Sequence, residues 1–373
     1  MREEQHDFSR GSMLGNILRL SLPLIVAQFI NVLYNIVDRM YIGRIQGADS
    51  AALTGVGVAF PIITAITAFS LLVGTGGAPL CSIARGKGDE KRAEHIMGNS
   101  FLMTLVMVLL GMGLLVKEPL LYALGASPAT FGYANDYISI YLLGTVFVMI
   151  SLSMNGFINC QGFAKMGMLT VLIGAVLNLI LDPVFIFVLD MGVKGAAIAT
   201  VLSQAVSAAW NVNFLMGKKS SLRLSFYNIR PDFRIMGQIC SLGISPFIMR
   251  ATESLISIVL NRGLQMYGGD LYVGSLTIMQ SVLQLFSAPL TGFTQGVQPI
   301  ISYNYGAGKF DRVKKLYRSM IAVSFTISFV ANMTAMCFPA LYASLFTNDE
   351  ELIGLVSRVM PVFLFGMLFF GLQ

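Results

Sequence analysis

Ten long apolar runs divide the chain, near residues 15–41, 51–80, 96–116, 134–158, 166–189, 194–216, 236–262, 271–300, 313–338 and 352–373. A lipid-spanning helix needs about 20 mostly apolar residues. Inside hydrocarbon, each backbone N–H and C=O must be satisfied within its own segment, so runs of this kind are predicted to be helices. Strand-like alternation is rare, which argues against an outer-membrane barrel. In 373 residues the ten runs leave no room for a large extramembrane domain. Only 12% of residues are charged and the mean hydropathy is +0.73, against about 25% charge in a soluble domain. This excludes a soluble enzyme and a nucleic-acid-binding module despite the net charge of +6. The predicted solvent is the lipid bilayer, and the fold class is an all-α polytopic membrane protein. No small-residue cleavage site follows the first run, so it is read as a retained spanning helix and not as a signal peptide.

The basic residues predict an orientation. Eighteen of the 25 Lys and Arg fall on alternate loops of one side, four (Arg44, Lys117, Lys194 and Arg262) on the other, and Arg39, Arg250 and Arg358 inside spans. By the positive-inside rule the N-terminus is expected in the cytoplasm of a bacterial cell, with the chain in the cytoplasmic membrane. The basicity is thus a topology signal, and no nucleic-acid partner is expected.

An internal repeat is the next constraint. Residues 76–92, GGAPLCSIARGKGDEKR, align with 296–312, GVQPIISYNYGAGKFDR, at a constant offset of 220. Gly76, Pro79, Ser82, Gly86, Gly88 and Arg92 match Gly296, Pro299, Ser302, Gly306, Gly308 and Arg312. Six identities in 17 positions compare with about one by chance. SLP at Ser21 to Pro23 is echoed loosely by SLGISP at Ser241 to Pro246. A unit of roughly six helices is even, so both copies enter from one side, as parallel repeats do. The expected organisation is an N-terminal lobe over 1–216 (helices 1–6), a cytoplasmic linker over 217–234, and a C-terminal lobe over 235–373 (helices 7–10). On this register the second copy is incomplete and lacks equivalents of residues 154–216. The expectation is a fragment of a twelve-helix protein of about 440 residues, or a degenerate second half.

Acids at membrane depth are the candidate functional groups, since each costs about 2.5–3.5 kcal/mol at a helix centre. Asp38 ends a stripe on the first helix: Gln28, Asn31, Asn35 and Asp38 are spaced three, four and three apart, with Tyr34 beside them. The stripe either lines a cavity or another helix, or Asp38 and Arg39 mark the helix end with Arg39 snorkelling. Asp182 precedes Pro183, with Asn178 one turn earlier. Proline deprives the Leu179 carbonyl of its usual donor, so this is a cation or proton site, or a structural kink. Glu253 has Ser257 and Asn261 following it at spacings of four. Arg250 lies three residues before it, and an intrahelical ion pair is the competing reading. Gln280 and Gln284 are either ligand contacts or interhelical hydrogen bonds. The 22 methionines suit either an adaptable pocket or ordinary packing. The two histidines, His6 and His95, lie in polar segments, and Cys81, Cys160, Cys240 and Cys337 form no CxxC pair. No catalytic site, metal centre, disulfide framework or cofactor is predicted, and no Walker lysine motif supports ATP hydrolysis.

The chain resembles the multidrug and toxic compound extrusion family. The resemblance is carried by SLP (Ser21 to Pro23), VDRMYIGR (Val37 to Arg44), ARGKGD (Ala84 to Asp89), NLILDPVFIF (Asn178 to Phe187), GVKGAAIAT (Gly192 to Thr200) and YNYGAGKFDR (Tyr303 to Arg312). It runs over essentially the whole chain and implies two six-helix bundles around a central cleft. It also implies export of organic, often cationic, compounds in exchange for protons or sodium. It assigns cation coupling to Asp38, Asn178, Asp182 and Thr200, with sodium, where it is the coupling ion, at Asp38 and Asp182. Gln28, Asn31, Tyr34, Asn35, Asn155, Glu253, Gln280 and Gln284 are the substrate-cleft candidates. The last run holds Arg358 as its only charge, so the helix 10 acid of one branch has no counterpart. This points to coupling through the N-terminal lobe, as in the branch related to the DNA-damage-inducible transporter. The expected partners are lipid and small organic cations, and the expected state is a monomer. Within the same superfamily the alternative is a lipid-linked saccharide flippase, for which more basic residues would be expected in the cavity. The remaining alternative is a truncated remnant that does not transport.

Overall fold

In a computed structural model, placement is described for residues 8, 12–42, 45, 51–113, 117–124, 127–346 and 349–368. Some helical side chains also lie outside that description, among them those of Arg39, Lys117, Ser257, Asn261 and Arg262, as does Arg44. Helix dominates, and no strand occurs among the described residues. The elements are α1 (Met13–Ile42), α2 (Ala51–Gly86), α3 (Glu90–Gly113), α4 (Lys117–Ala123), α5 (Pro128–Leu143), α6 (Thr145–Asn159), α7 (Ala164–Pro183), α8 (Gly192–Met216), α9 (Phe233–Gly306), α10 (Phe310–Cys337), α11 (Pro339–Ser344) and α12 (Glu350–Phe365). Each of the ten apolar runs lies on one or more of them.

Among the described residues four helices are long and apolar enough to cross a membrane: α1, α2, α7 with the turn that follows it, and α10. The α5–α6 pair, bent by 57° at Gly144, makes a fifth if taken as one span. The sequence predicts one helix over 134–158, but the structure breaks it there. A Cβ on Gly144 would run into Val201 of α8, so the bend packs tightly on that helix. The α8 helix is less apolar than these, because it carries Thr200, Ser203, Gln204, Ser207 and Asn211. Such a helix crosses lipid only if these groups face the bundle interior.

The loop expected between the seventh and eighth runs is replaced by helix. The α9 helix is assigned continuously over 74 residues, which would extend about 110 Å if straight, far beyond a bilayer of about 40–45 Å. It does not run straight. Gly76 and Gly243 bring its start, at Ile239 and Gly243, against Leu72 and Gly76 of α2. Gly86 and Gly306 bring its end, at Tyr303 and Gly306, against Ile83 and Gly86 of the same helix. Both ends of α9 therefore lie within a few turns of one another along α2, and the element doubles back to form two limbs.

The contacts of α2 with α9 are reciprocal. A Cβ on Gly86 would strike the Tyr303 carbonyl, and a Cβ on Gly306 would strike the Ile83 carbonyl. Ile83 and Tyr303 are themselves 220 residues apart, as are Gly86 and Gly306. Gly88 and Gly308 both adopt positive φ, at 78° and 72°, the left-handed turn that favours glycine. The backbone at these two motifs thus has the same turn and the same mutual packing, an arrangement a two-fold relation generates. Arg85 adds to this contact, its guanidinium lying over the Tyr303 ring at 6.0 Å. Phe8, itself buried, packs edge-on against Tyr303.

The segment between α8 and α9 is pinned to the first half. Gln161 Oε1 accepts from Ser220 Oγ and from the Leu222 N–H. Glu94 accepts from the Arg223 N–H and from Asn228 Nδ2, and Asn99 Oδ1 accepts from the Asp232 N–H. Asp232 then caps α9 by accepting from the N–H groups of Arg234 and Ile235, satisfying donors that have no partner within the helix.

Candidate functional site

The site is built on the α7–α8 hairpin. Proline at 183 ends α7, and the chain continues as a π turn over Val184–Val188, a distortion often found at functional positions. Asp190 then takes a positive φ of 52° and the chain reverses into α8. Gly174 of α7 lets α8 approach closely, because a Cβ there would collide with Ser207 Oγ. The hairpin thereby sets Asn178 and Asp182 opposite Thr200.

Asn178 Nδ2 donates to Asp182 Oδ1 at 3.1 Å and is 3.4 Å from Thr200 Oγ1. Thr200 Oγ1 donates to the Ala196 carbonyl at 3.0 Å. Asp182 is 1% exposed and Asn178 4%. The second carboxylate oxygen of Asp182 is buried without a hydrogen-bond partner among the described residues. From α1, Asp38 comes close enough for the two carboxyl groups to interact. Two carboxylates at such range repel each other strongly unless a proton or a cation lies between them. The four residues assigned to coupling by sequence resemblance therefore converge.

Beside them lies a cavity of about 510 Å³, counting the part open to solvent. It is bounded by α1, α6, α7 and α8 and lined by Asn31, Tyr34, Asn155, Asn178, Thr200 and Gln204, among others. The remaining stripe amides do different work. Asn35 Nδ2 donates to the Asn31 carbonyl and side-chain oxygen, at 2.6 and 3.1 Å. Gln28 Nε2 donates to Gln295 Oε1 of α9 at 3.1 Å, bridging to the second half. Asn155 donates to the Gly167 carbonyl at 3.4 Å. Three candidates lie elsewhere, on α9. Glu253 pairs with Arg250 at 3.2 Å, both side chains about half exposed. Gln280 is half-buried and Gln284 exposed, and neither lines this cavity.

Sequence reasoning missed two contributors. Tyr137 of α5 is buried close to Thr200. The polar face of α8, with Ser203, Gln204 and Ser207, forms one wall of the cavity. Its signal was available in the four-residue spacing of Thr200 and Gln204, and of Ser203, Ser207 and Asn211. Tyr137 had none, since nothing in its own run distinguishes it from packing.

Comparison with known proteins identifies the fold and the family. The MatE family model matches residues 23–184 and 246–373. The chain is 25% identical over 375 residues to the multidrug export protein MepA of Staphylococcus saprophyticus, covering 100% of this chain and 82% of that protein. It is 27% identical over 376 residues to MepA of Staphylococcus haemolyticus, with the same coverage. Its fold is similar to a structure described as the outward-facing conformation of a multidrug resistance MATE family transporter of the MOP superfamily. The TM-score is 0.88 at 25% identity, covering 100% of this chain and 85% of that one. The chain therefore belongs to the MatE family, as a polytopic membrane transporter related to multidrug exporters and not an enzyme.

Proposed function

We propose that this transporter exports organic, mainly cationic, compounds in exchange for protons or sodium, and that coupling resides in the first half. The observation that carries the reading is the convergence of Asp38, Asp182, Asn178 and Thr200 beside a polar cavity. Two facing carboxyl groups in a low-dielectric site attract either a coupling ion or a cationic drug, but not both at full strength. Entry of a proton or sodium ion takes one negative charge off the pair and weakens its hold on the drug, which leaves, and the halves then rearrange to the opposite state. One proton moving down 100 mV supplies about 2.3 kcal/mol, and a tenfold gradient adds about 1.4 kcal/mol. Together these drive a neutral compound uphill by a few hundredfold; for a monovalent cation exchanged one for one the potential cancels, and the tenfold proton gradient alone supports about tenfold. The resident groups are amides, hydroxyls and carboxylates, a donor set that suits sodium and leaves softer metals without their preferred ligands.

In this reading the basic loops face the cytoplasm, residues 1–216 and 235–373 form the two lobes, and the protein acts as a monomer in the cytoplasmic membrane. Asp38→Asn keeps the shape of the site and removes one charge. Cells carrying that variant should lose resistance to a cationic dye while retaining normal amounts of membrane-inserted protein. Undiminished resistance would overturn the assignment of coupling to this cluster.

A further inference from the structure

The seam between α2 and α6 is drawn tight by small residues. Gly74 packs on the backbone of Leu152 and Ser153, Gly156 packs on Ala78, and Gly77 meets the Phe157 ring. Glycine at such positions lets two membrane helices approach to backbone contact. One turn further along each helix the seam reaches Cys81 and Cys160. Both are fully buried free thiols, and Cys160 Sγ donates to Cys81 Sγ at 3.5 Å. Arg85, one turn beyond Cys81, donates from Nη1 to the Cys160 carbonyl at 2.7 Å. The other two cysteines are unlike this pair: Cys240 is half-buried, Cys337 is exposed, and neither has a thiol neighbour at this range among the described residues.

We infer that Cys81 and Cys160 form a redox-modification site, closed to a disulfide that staples α2 to α6 by small hydroperoxide oxidants. The chemistry balances in two steps. One thiol sulfur attacks the peroxide O–O bond, giving a sulfenic acid and one water. The second sulfur then attacks the sulfenic sulfur, the S–O bond breaks, and a second water leaves as the S–S bond forms. Two thiols and one hydrogen peroxide become one disulfide and two waters. A disulfide needs an S–S distance of about 2.05 Å, so the sulfurs must close by about 1.5 Å. The product is uncharged and suits the buried site better than a lasting thiolate would. The staple also lies one turn from the α2–α9 contact, where Arg85 spans from the Cys160 carbonyl to the Tyr303 ring.

The test uses the purified full chain in detergent, treated with hydrogen peroxide, denatured, alkylated and digested without reductant. The expected result is one linked peptide pair containing Cys81 and Cys160, an intact mass lower by about 2 Da, and full recovery of both thiols with dithiothreitol. The linked pair should persist when Cys240 and Cys337 are both replaced by serine, and should vanish in Cys160→Ser. The inference is overturned if Cys81 and Cys160 both remain alkylatable after exposure that oxidises Cys337. It is equally overturned if they pass to sulfinic acids without linking.

Discussion

The two halves share a backbone device but not a chemistry. At the repeated motif, Gly86 and Gly306 pack reciprocally, on Tyr303 and Ile83, and Gly88 and Gly308 make the same left-handed turn. The polar stripe of α1 has no such echo. At the offset of 220, Gln28, Asn31, Asn35 and Asp38 correspond to Ile248, Ala251, Leu255 and Ile258. Ile248 and Leu255 are exposed large apolar residues, whereas Asn31 and Asn35 are half-buried and bonded to each other. The acid that α9 does carry, Glu253, corresponds to Leu33 and is spent on Arg250. Selection for the close approach of two helices acts on backbone geometry and retains glycines in both copies. In the proposed mechanism the ion chemistry acts through side chains, and one polar cluster is sufficient for a coupled cycle.

Breaking the asymmetric element should have the largest effect. Replacing Asp182 by Asn should cut gradient-driven efflux by about tenfold or more, in line with a coupling free energy of roughly 1–3 kcal/mol. Initial rates of dye efflux from vesicles check this. Breaking the symmetric element should come next and should be even-handed. Leucine at Gly86 or at Gly306 forces a side chain into a backbone carbonyl, at a cost of about 1–3 kcal/mol. Each variant should slow export by about fivefold or more, and the two should agree within about twofold. A large difference between them would break the reciprocity. Thr200→Val removes one hydroxyl from the cluster while keeping its volume, and an effect of about threefold is expected in the same assay. Glu253→Gln breaks a half-exposed ion pair. Such pairs contribute about 0–1 kcal/mol, so export and thermal stability should stay within about twofold and a few degrees of the parent.

Spanning helices were legible because lipid imposes a length and an apolarity that no other solvent does. The bend at Gly144 was not, since its cause is Val201 in a different helix. The doubling back of α9 was predicted as a loop between two spans. The residues around Gly263 and Gly268 instead keep helical backbone while the element reverses. Within the site, Asn178 and Asp182 were readable from an acid and an amide one turn apart on an otherwise apolar helix. Their meeting with Thr200 depends on a π turn and a left-handed Asp190, local features that composition does not announce. Tyr137 and the Cys81–Cys160 pair were invisible for the same reason. The two cysteines are 79 residues apart in the chain and touch only because glycines close the α2–α6 seam.

The central claim is that the first-half acids couple ion entry to drug exit. It is tested most directly in vesicles of purified protein loaded with a cationic dye, under a proton gradient alone or a sodium gradient alone. The wild-type chain and the Asp38→Asn variant would be measured side by side. The account predicts that at least one gradient drives dye out of wild-type vesicles and that neither does so in the variant. Equal gradient-driven efflux from both would contradict it.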